Sequence, residues 1–393
     1  MNRDRNYFKS ARMAIPGLLL LVLVSCAMNP SEKSRSAGST TRPPELTESW
    51  KAYVRRFIQE DGRVIDHKGG GFSTSEGQAY AMLRAVWMAD RAVFDKAFRW
   101  AKDNLNSGIR QDHLWAWKWG KAPDGNWRVL DKAFASDADQ DVALALILAS
   151  EVWSDPAYLA RAREILADLW RLGTIASGGR RYLLAGDTLC QGADCKLNPS
   201  YCAPYAYRIF SQYDKSRTWL DLVESSYHLL NTSAKLTGSR LPPDWLLLDT
   251  KSGSLRLGSA KDARFSYDAI RTHWRVAFDQ RLFQDPRGEL YLRQSLSWPI
   301  RQWEKTQKLP AVISAEGKPE AAYESPEMLA CLLPAMALVS PEIASAIHGR
   351  LQHNFKGGIW FDPESYYIQN WVWFGIALQQ NYLGPFNEFR RSR

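Results

Sequence analysis

Thr74-Ser75-Glu76-Gly77-Gln78-Ala79-Tyr80-Ala81-Met82 runs straight into a helix-favouring segment that continues to about Ala89. A hydroxyl residue followed by a carboxylate marks a helix start: Thr74 or Ser75 can accept from the orphan amides, and Glu76 falls in the first turn. Alone, such a start is ordinary capping. It gains weight from Ala135-Ser136-Asp137-Ala138-Asp139-Gln140-Asp141, which opens a second apolar helix with three Asp in five residues. Dipole complementarity accounts for part of that, at a few tenths to about 1 kcal/mol per charge, but three carboxylates exceed what capping requires. If they and Glu76 face one cleft, mutual repulsion raises at least one pKa, as a general acid working near neutrality needs. A third stretch, Phe265-Ser266-Tyr267-Asp268-Ala269-Ile270-Arg271-Thr272-His273-Trp274-Arg275, again sets an acid ahead of an apolar helical face. Arg271 can clamp Asp268 or a neighbouring carboxylate there; a surface ion pair is the plainer alternative.

From Glu45 onward the organising unit is the amphipathic helix. Trp50, Tyr53, Val54, Phe57 and Ile58 keep the 3.6-residue spacing, as do segments within 94–105, 142–152, 158–169, 220–230 and 343–351. About twelve such helices are expected, and strand alternation is scarce, so the fold class is all-α. Connectors bearing Gly or Pro, such as Lys121 to Gly125, Ser177 to Arg180 and Leu241 to Pro243, separate the helices and leave room for short hairpins. No fixed-length repeat is visible, which argues against a solenoid. A helical superbundle and a ring of six helical hairpins both fit the pattern.

The 393 residues are 45% hydrophobic, enough for a sizeable core, and include 17 Trp, 16 Tyr and 15 Phe. Flat indole faces suit sugar rings, although an aromatic core explains the same count. The formal charge is +9, of which residues 1–25 contribute four Lys/Arg and one Asp. The remaining excess is mild and no basic run interleaves with aromatics, so no nucleic-acid partner is expected, and a cationic polysaccharide such as chitosan is disfavoured.

Residues 1–25 read as an export signal: a basic start, then an apolar run from Met13 to Val24 too short for a comfortable permanent span. It ends Leu23-Val24-Ser25-Cys26, which resembles a bacterial lipobox, so Cys26 is the expected lipidation site and the protein is expected in the periplasm or at the outer membrane. Residues 26–44 read as a flexible tether and 45–393 as the functional domain. Export permits disulfides; Cys190-Gln-Gly-Ala-Asp-Cys195 can close a small loop, and one bridge is expected in the 190–202 region among the three pairings that Cys190, Cys195, Cys202 and Cys331 allow. The six His have no paired ligand spacing and most read as surface or helix-end residues, so no metal or cofactor is expected. Nucleophile-elbow, phosphate-loop and dinucleotide motifs are absent.

The three acidic stretches, in this order, resemble glycoside hydrolase family 8, and within it the endoglucanases encoded with bacterial cellulose synthases. Glu60-Asp61-Gly62-Arg63-Val64-Ile65-Asp66, Ala116-Trp117-Lys118-Trp119-Gly120-Lys121, Asn198-Pro199-Ser200-Tyr201, Pro243-Asp244-Trp245 and Tyr366-Tyr367 add to the likeness, which runs from about Trp50 to Gly375. The resemblance implies an (α/α)6 barrel of six helical hairpins and an inverting, metal-free hydrolysis of internal β-1,4-glucosidic bonds. It makes Glu76 the general acid, Asp268 the base and Asp137 the residue holding the distorted sugar, with a nucleophilic role for the last as the alternative. Trp117, Trp119, Tyr201, Arg271, Tyr367 and Asp139 become substrate-binding candidates, Tyr367 through the attacking water. A monomer acting on β-1,4-glucan, with a cellulose or exopolysaccharide synthase complex as partner, is the corresponding expectation. Hydrolysis of xylan, mixed-linkage glucan or another exopolysaccharide, and a non-catalytic glycan-binding lipoprotein, are the alternatives. Ala79, Ala81, Val142 and His273 depart from the family pattern, but none removes a carboxylate.

Overall fold

The computed structural model describes residues 42–383; Cys26, the leader and nearly all of the tether lie outside the described residues. Thirteen α-helices occur among them. In chain order they are α1 (Pro44–Phe57), α2 (Ser75–Trp87), α3 (Arg91–Ala101), α4 (Ser136–Trp153), α5 (Pro156–Leu172), α6 (Pro204–Tyr213) and α7 (Trp219–Leu236). There follow α8 (Arg271–Phe283), α9 (Pro286–Ser295), α10 (Ser297–Thr306), α11 (Pro326–Val339), α12 (Pro341–His353) and α13 (Tyr366–Gln379).

Six of these close a ring. Helix α2 packs on α4, α4 on α6, α6 on α8, α8 on α11, α11 on α13, and α13 back on α2. Each has an outer partner: α3, α5, α7, α9 and α12 pack on the helices that lead into them, while α1 packs on α13 and so joins the two ends of the described chain. The result is the (α/α)6 barrel, and it decides between the two arrangements that periodicity left open.

The division into layers follows from sequence pattern. Inner α4 is buried without interruption from Ser136 to Ala149, because a helix walled on all sides has no solvent face. Outer α3 buries only Phe94, Ala97, Trp100 and Ala101, a one-sided stripe. Two of the buried acids of α4, Asp137 and Asp141, are paired with cations of α8, the other ring neighbour of α6. Arg275 makes two bonds to Asp141, at 3.0 and 2.9 Å, and Arg271, one turn earlier on α8, meets Asp137, one turn earlier on α4. Two rungs of an Arg–Asp ladder thus run down the barrel interior, set by matched i,i+4 spacing on both helices.

The scarcity of strands needs correction. Eleven short strands lie among the described residues, in four small antiparallel sheets. Most are two to four residues long, too short for a period-2 pattern to register. The longest, Trp127–Phe134, is exposed over most of its length, so neither face carries an apolar row. Three strands matter for the site: β1 (Ser73–Thr74), β2 (Ala116–Lys121) and β3 (Trp127–Phe134), which form one sheet in that order.

Cys190 and Cys195 form a disulfide across a tight hairpin, while Cys202 and Cys331 are buried free thiols. His273 is an exception to the surface or helix-end position expected of most His: it is fully buried on α8. Its Nε2 lies 3.1 Å from Ser295 Oγ, and burial pushes its pKa down to about 3, so it is a neutral core residue.

Candidate active site

The start of α2 is built as its sequence requires. Thr74 is extended and its hydroxyl accepts from the Gly77 amide at 2.9 Å, which fixes Glu76 in the first turn. Gln78, fully buried, accepts from the Val64 amide at 2.5 Å and donates to the Gly62 and Ala97 carbonyls, so one amide side chain ties the preceding loop to the helix. Gly77 matters sterically: a Cβ there would stand 3.3 Å from the Tyr366 ring. That ring brings its hydroxyl to Glu76 Oε1, to which it donates at 3.0 Å.

All three sequence-predicted acids meet on one guanidinium. Arg271 Nη1 lies 2.8 Å from Glu76 Oε2 and 2.9 Å from Asp137 Oδ2, and its Nη2 lies 2.6 Å from Asp268 Oδ1. Exposure grades the three: the side chains of Asp268 and Glu76 are 37% and 21% exposed, whereas Asp137 is at 4% and Arg271 at 2%. Glu76 and Asp268 therefore face the solvent side of the cluster, and Asp137 and Arg271 form its floor. Together with Asp66, Lys68, Gly69, Tyr267, Ser365, Tyr366 and Tyr367, the two exposed acids and Arg271 line an open cleft of about 470 Å³.

Three carboxylates against one permanent cation leave an excess of negative charge in a largely dry place. Desolvation is the main cause raising Glu76 to about 7; Arg271 opposes it, Asp137 adds to it, and the Tyr366 hydroxyl favours the charged form. Asp268 is also raised, first by desolvation, with Arg271 opposing and the Asn198 amide and Trp245 indole favouring its ionised form. The arrangement thus raises the proton affinity of both solvent-facing acids, that of Glu76 to about 7.

The remaining candidates divide. Tyr201 is half-buried beneath the cluster, with the Arg271 guanidinium 5.3 Å from its ring centroid. Tyr367 lines the cleft and donates to the Tyr267 carbonyl at 2.8 Å, which leaves its oxygen as an acceptor. Asp139 is not a cleft residue: it is fully buried and accepts from the Trp115 amide at 2.9 Å, a structural use of the third acid. Trp117 is half-buried beside Lys118, whose ammonium lies 5.4 Å from its ring centroid. Trp119 does not line the cleft; its half-buried ring is stacked with Trp127 and has the Arg63 guanidinium 4.5 Å from its centroid.

Two functional residues escaped the sequence reading. Tyr366 stands in sequence as half of a Tyr-Tyr pair, and nothing local says which hydroxyl reaches Glu76. Asp244, in Pro243-Asp244-Trp245, accepts from the Ser266 amide at 3.1 Å, the Ala269 amide at 2.8 Å and the Ser266 hydroxyl, and so organises the turn that presents Asp268. Its pKa is raised to about 6, chiefly by burial. An acid 24 residues before the one it positions gives no periodic signal.

The sequence model of Glycosyl hydrolases family 8 matches residues 24–287, a stretch that contains Glu76, Asp137, Asp268 and Arg271. The chain belongs to glycosyl hydrolases family 8. Its relatives include an endoglucanase of Xanthomonas axonopodis pv. citri (strain 306), 34% identical over 264 residues that span 64% of this chain and 67% of that protein. Against three other endoglucanases the aligned stretch spans 58–60% of their length. Solved structures extend the likeness past residue 287. The endo-1,4-D-glucanase of Vibrio fischeri ES114 matches with a TM-score of 0.73 and 27% identity over 85% of this chain and 94% of that one. CMCax, an endo-beta-1,4-glucanase of Acetobacter xylinum, gives 0.71 and 26% over 86% and 99%. The family-8 barrel therefore includes α11 and α13, which close the ring, and with α13 the pair Tyr366 and Tyr367.

Proposed function

We propose that this protein is an endo-acting, inverting glycoside hydrolase of β-1,4-glucan. The observation that carries the reading is the pair of solvent-facing carboxyls, Glu76 and Asp268, held on one buried guanidinium with their proton affinities pushed upward at the floor of an open cleft. The substrate reading is supported by the likeness to the endo-1,4-D-glucanase of Vibrio fischeri and the endo-beta-1,4-glucanase of Acetobacter xylinum.

The chemistry is a single displacement. Glu76 gives its proton to the glycosidic oxygen as the bond from that oxygen to the anomeric carbon breaks. A water attacks the same carbon from the opposite face and yields a proton to Asp268. Contacts of 2.8 and 2.6 Å on neighbouring nitrogens of one planar fork place the two contacted carboxyl oxygens within about 8 Å of each other, compatible with the lower part of the roughly 6.5–9.5 Å range of an inverting pair. Charge that grows on Glu76 as it loses its proton is met by donors already in place, Arg271 and the Tyr366 hydroxyl, so little reorganisation accompanies the step. Asp137, almost wholly buried, orients Arg271 from below. Tyr367, with an acceptor oxygen in the cleft, holds the attacking water.

Purified protein should release reducing ends from carboxymethylcellulose with a rapid fall in viscosity, and proton spectra of early products should show the α-anomer first. A β-anomer would overturn the inverting assignment, and silence on every β-1,4-glucan would overturn the substrate. Export with a lipid anchor at Cys26 is part of the same proposal, supported by the leader pattern and by the Cys190–Cys195 disulfide, and partition of the full-length protein into a detergent phase tests it.

Asp244 supplies a further check. Asp244→Ala removes the acceptor for two amides and lets the Asp268 turn drift; a shift of about 1 Å costs on the order of 100-fold in kcat. Asp244→Asn keeps an acceptor oxygen and should stay within several-fold of wild type. Equal losses in both variants would show that the charge, not the brace, is what matters.

A further inference from the structure

The aromatic cluster that withdraws Trp119 from the cleft leaves a different indole at the surface. We infer that Trp127 is a glycan-stacking platform, a subsite for a stretch of β-glucan lying outside the cleft; this rests on the hydrolase reading above. Trp127 opens β3 and is 47% exposed, the most exposed Trp among the described residues that stand out as large surface hydrophobics. Its inner face is stacked on Trp119, with ring centroids 5.1 Å apart and planes 22° from parallel. The Arg63 guanidinium lies 4.5 Å from the Trp119 centroid and 4.6 Å from that of Trp127. Arg63 is itself buried and fixed, donating to Ser73 Oγ at 2.8 Å and to the Gly71 carbonyl. Trp100 abuts Trp119 edge-on at 5.3 Å.

This is a rigid pedestal. An indole already held against a second ring and a fixed cation on its inner side loses little freedom when something settles on its outer face, so most of the contact energy survives as affinity. Its surroundings select the occupant. Lys121, directly across the ladder, is exposed, as are Asp124 and Asn126 in the turn, whereas Leu130 falls on the opposite face of the hairpin. A single flat apolar face rimmed by donors and acceptors suits the C–H face and hydroxyl edge of a sugar ring. An apolar protein partner or a lipid surface would need a contiguous patch that is not there.

Position ties the platform to the reaction. Strand β1 pairs with β2, Ser73 opposite Trp119 and Thr74 opposite Lys118, and Thr74 caps the helix that carries Glu76. Lys121, the partner of Trp127, is three residues beyond Lys118, about 10 Å farther along the strand. A polymer threaded through the cleft reaches the platform, and a short oligosaccharide does not. Binding energy from so remote a contact lowers KM for long chains without entering the chemical step.

The test compares wild type, Trp127→Ala and Trp127→Phe on soluble hydroxyethylcellulose and on a cello-oligosaccharide just long enough to fill the cleft. For the Ala variant the ratio of polymer to oligosaccharide kcat/KM should fall about 5- to 10-fold through KM, and the Phe variant should recover most of it. Affinity electrophoresis of Glu76→Gln with and without Trp127→Ala should show the same loss of retardation in a glucan gel. An unchanged ratio, or retardation lost equally in a gel of an unrelated charged polymer, would overturn the platform while leaving the hydrolase reading intact. A wild type that neither cleaves nor is retarded by glucan would overturn that reading, and the platform with it.

Discussion

Glu76→Gln should lower kcat on unactivated β-1,4-glucan by about 10²–10⁴-fold, and Asp268→Asn by a comparable factor, yet the two losses should be separable. A glutamine cannot supply a proton, so the first variant fails only where the leaving oxygen needs one. On an aryl glycoside whose phenol leaves readily as an anion, Glu76→Gln should recover much of the wild-type rate. Asp268→Asn should stay slow on both substrates, because the attacking water lacks a base in either case. The pH profile gives an independent sign. The working form of Glu76 is protonated, so activity falls as pH rises through its pKa, and burial places that fall near pH 7 instead of near 4.5. Asp268 must be ionised, and since its pKa is raised as well, activity on the acid side should disappear above the range of an ordinary aspartate. With Glu76→Gln and an activated substrate, the alkaline fall should vanish and the acid one persist. If Glu76→Gln loses equally on both substrates and keeps its alkaline limb, the proton donor is another group.

The second large effect concerns Arg271. Arg271→Met should both abolish activity and destabilise the barrel, by about 3–5 kcal/mol near pH 7, because it strands three carboxyls in a place sized for their common cation. The sign of its pH dependence follows from linkage. Without the guanidinium, the folded-state pKa values of these acids rise above their unfolded values. The penalty is then fully present above those folded pKa values and is relieved as pH falls toward the unfolded ones. Thermal denaturation of the variant should thus come closer to wild type at pH 5 than at pH 7.5. Arg271→Lys should recover part of the stability and little of the activity, since a point charge cannot span three acceptors on one rigid plane. A Met variant as stable as wild type at pH 7.5 would mean the acids are neutral already, and the charge distribution assigned to the site would have to be redrawn.

How much of this was legible without coordinates differs from residue to residue. Glu76 and Asp137 announced themselves because a carboxylate at a helix start is a local feature, set by capping and the helix dipole. The same cue misread Asp139: two residues along a helix is a rotation of about 200°, which turned that side chain inward to the Trp115 amide. Trp119 was misplaced for a related reason. Its strand partner and diagonal neighbour, which decide whether an indole faces a ligand or another ring, lie on β3, and β3 has no sequence pattern of its own. Asp244 and Tyr366 were invisible as site residues because their partners are 22 to 290 positions away.

The chain by itself settled what depends on neighbours within a few residues: helices with one-sided or all-round apolar faces, hence a layered helical fold, and acids fixed at helix starts. Folding into a closed ring settled the rest. It brought positions 76, 137 and 268 onto the single guanidinium of Arg271, and burial then raised the proton affinity of Glu76 and Asp268. Desolvation and charge pairing are sums over groups converging from the whole chain, and no local pattern carries such a sum.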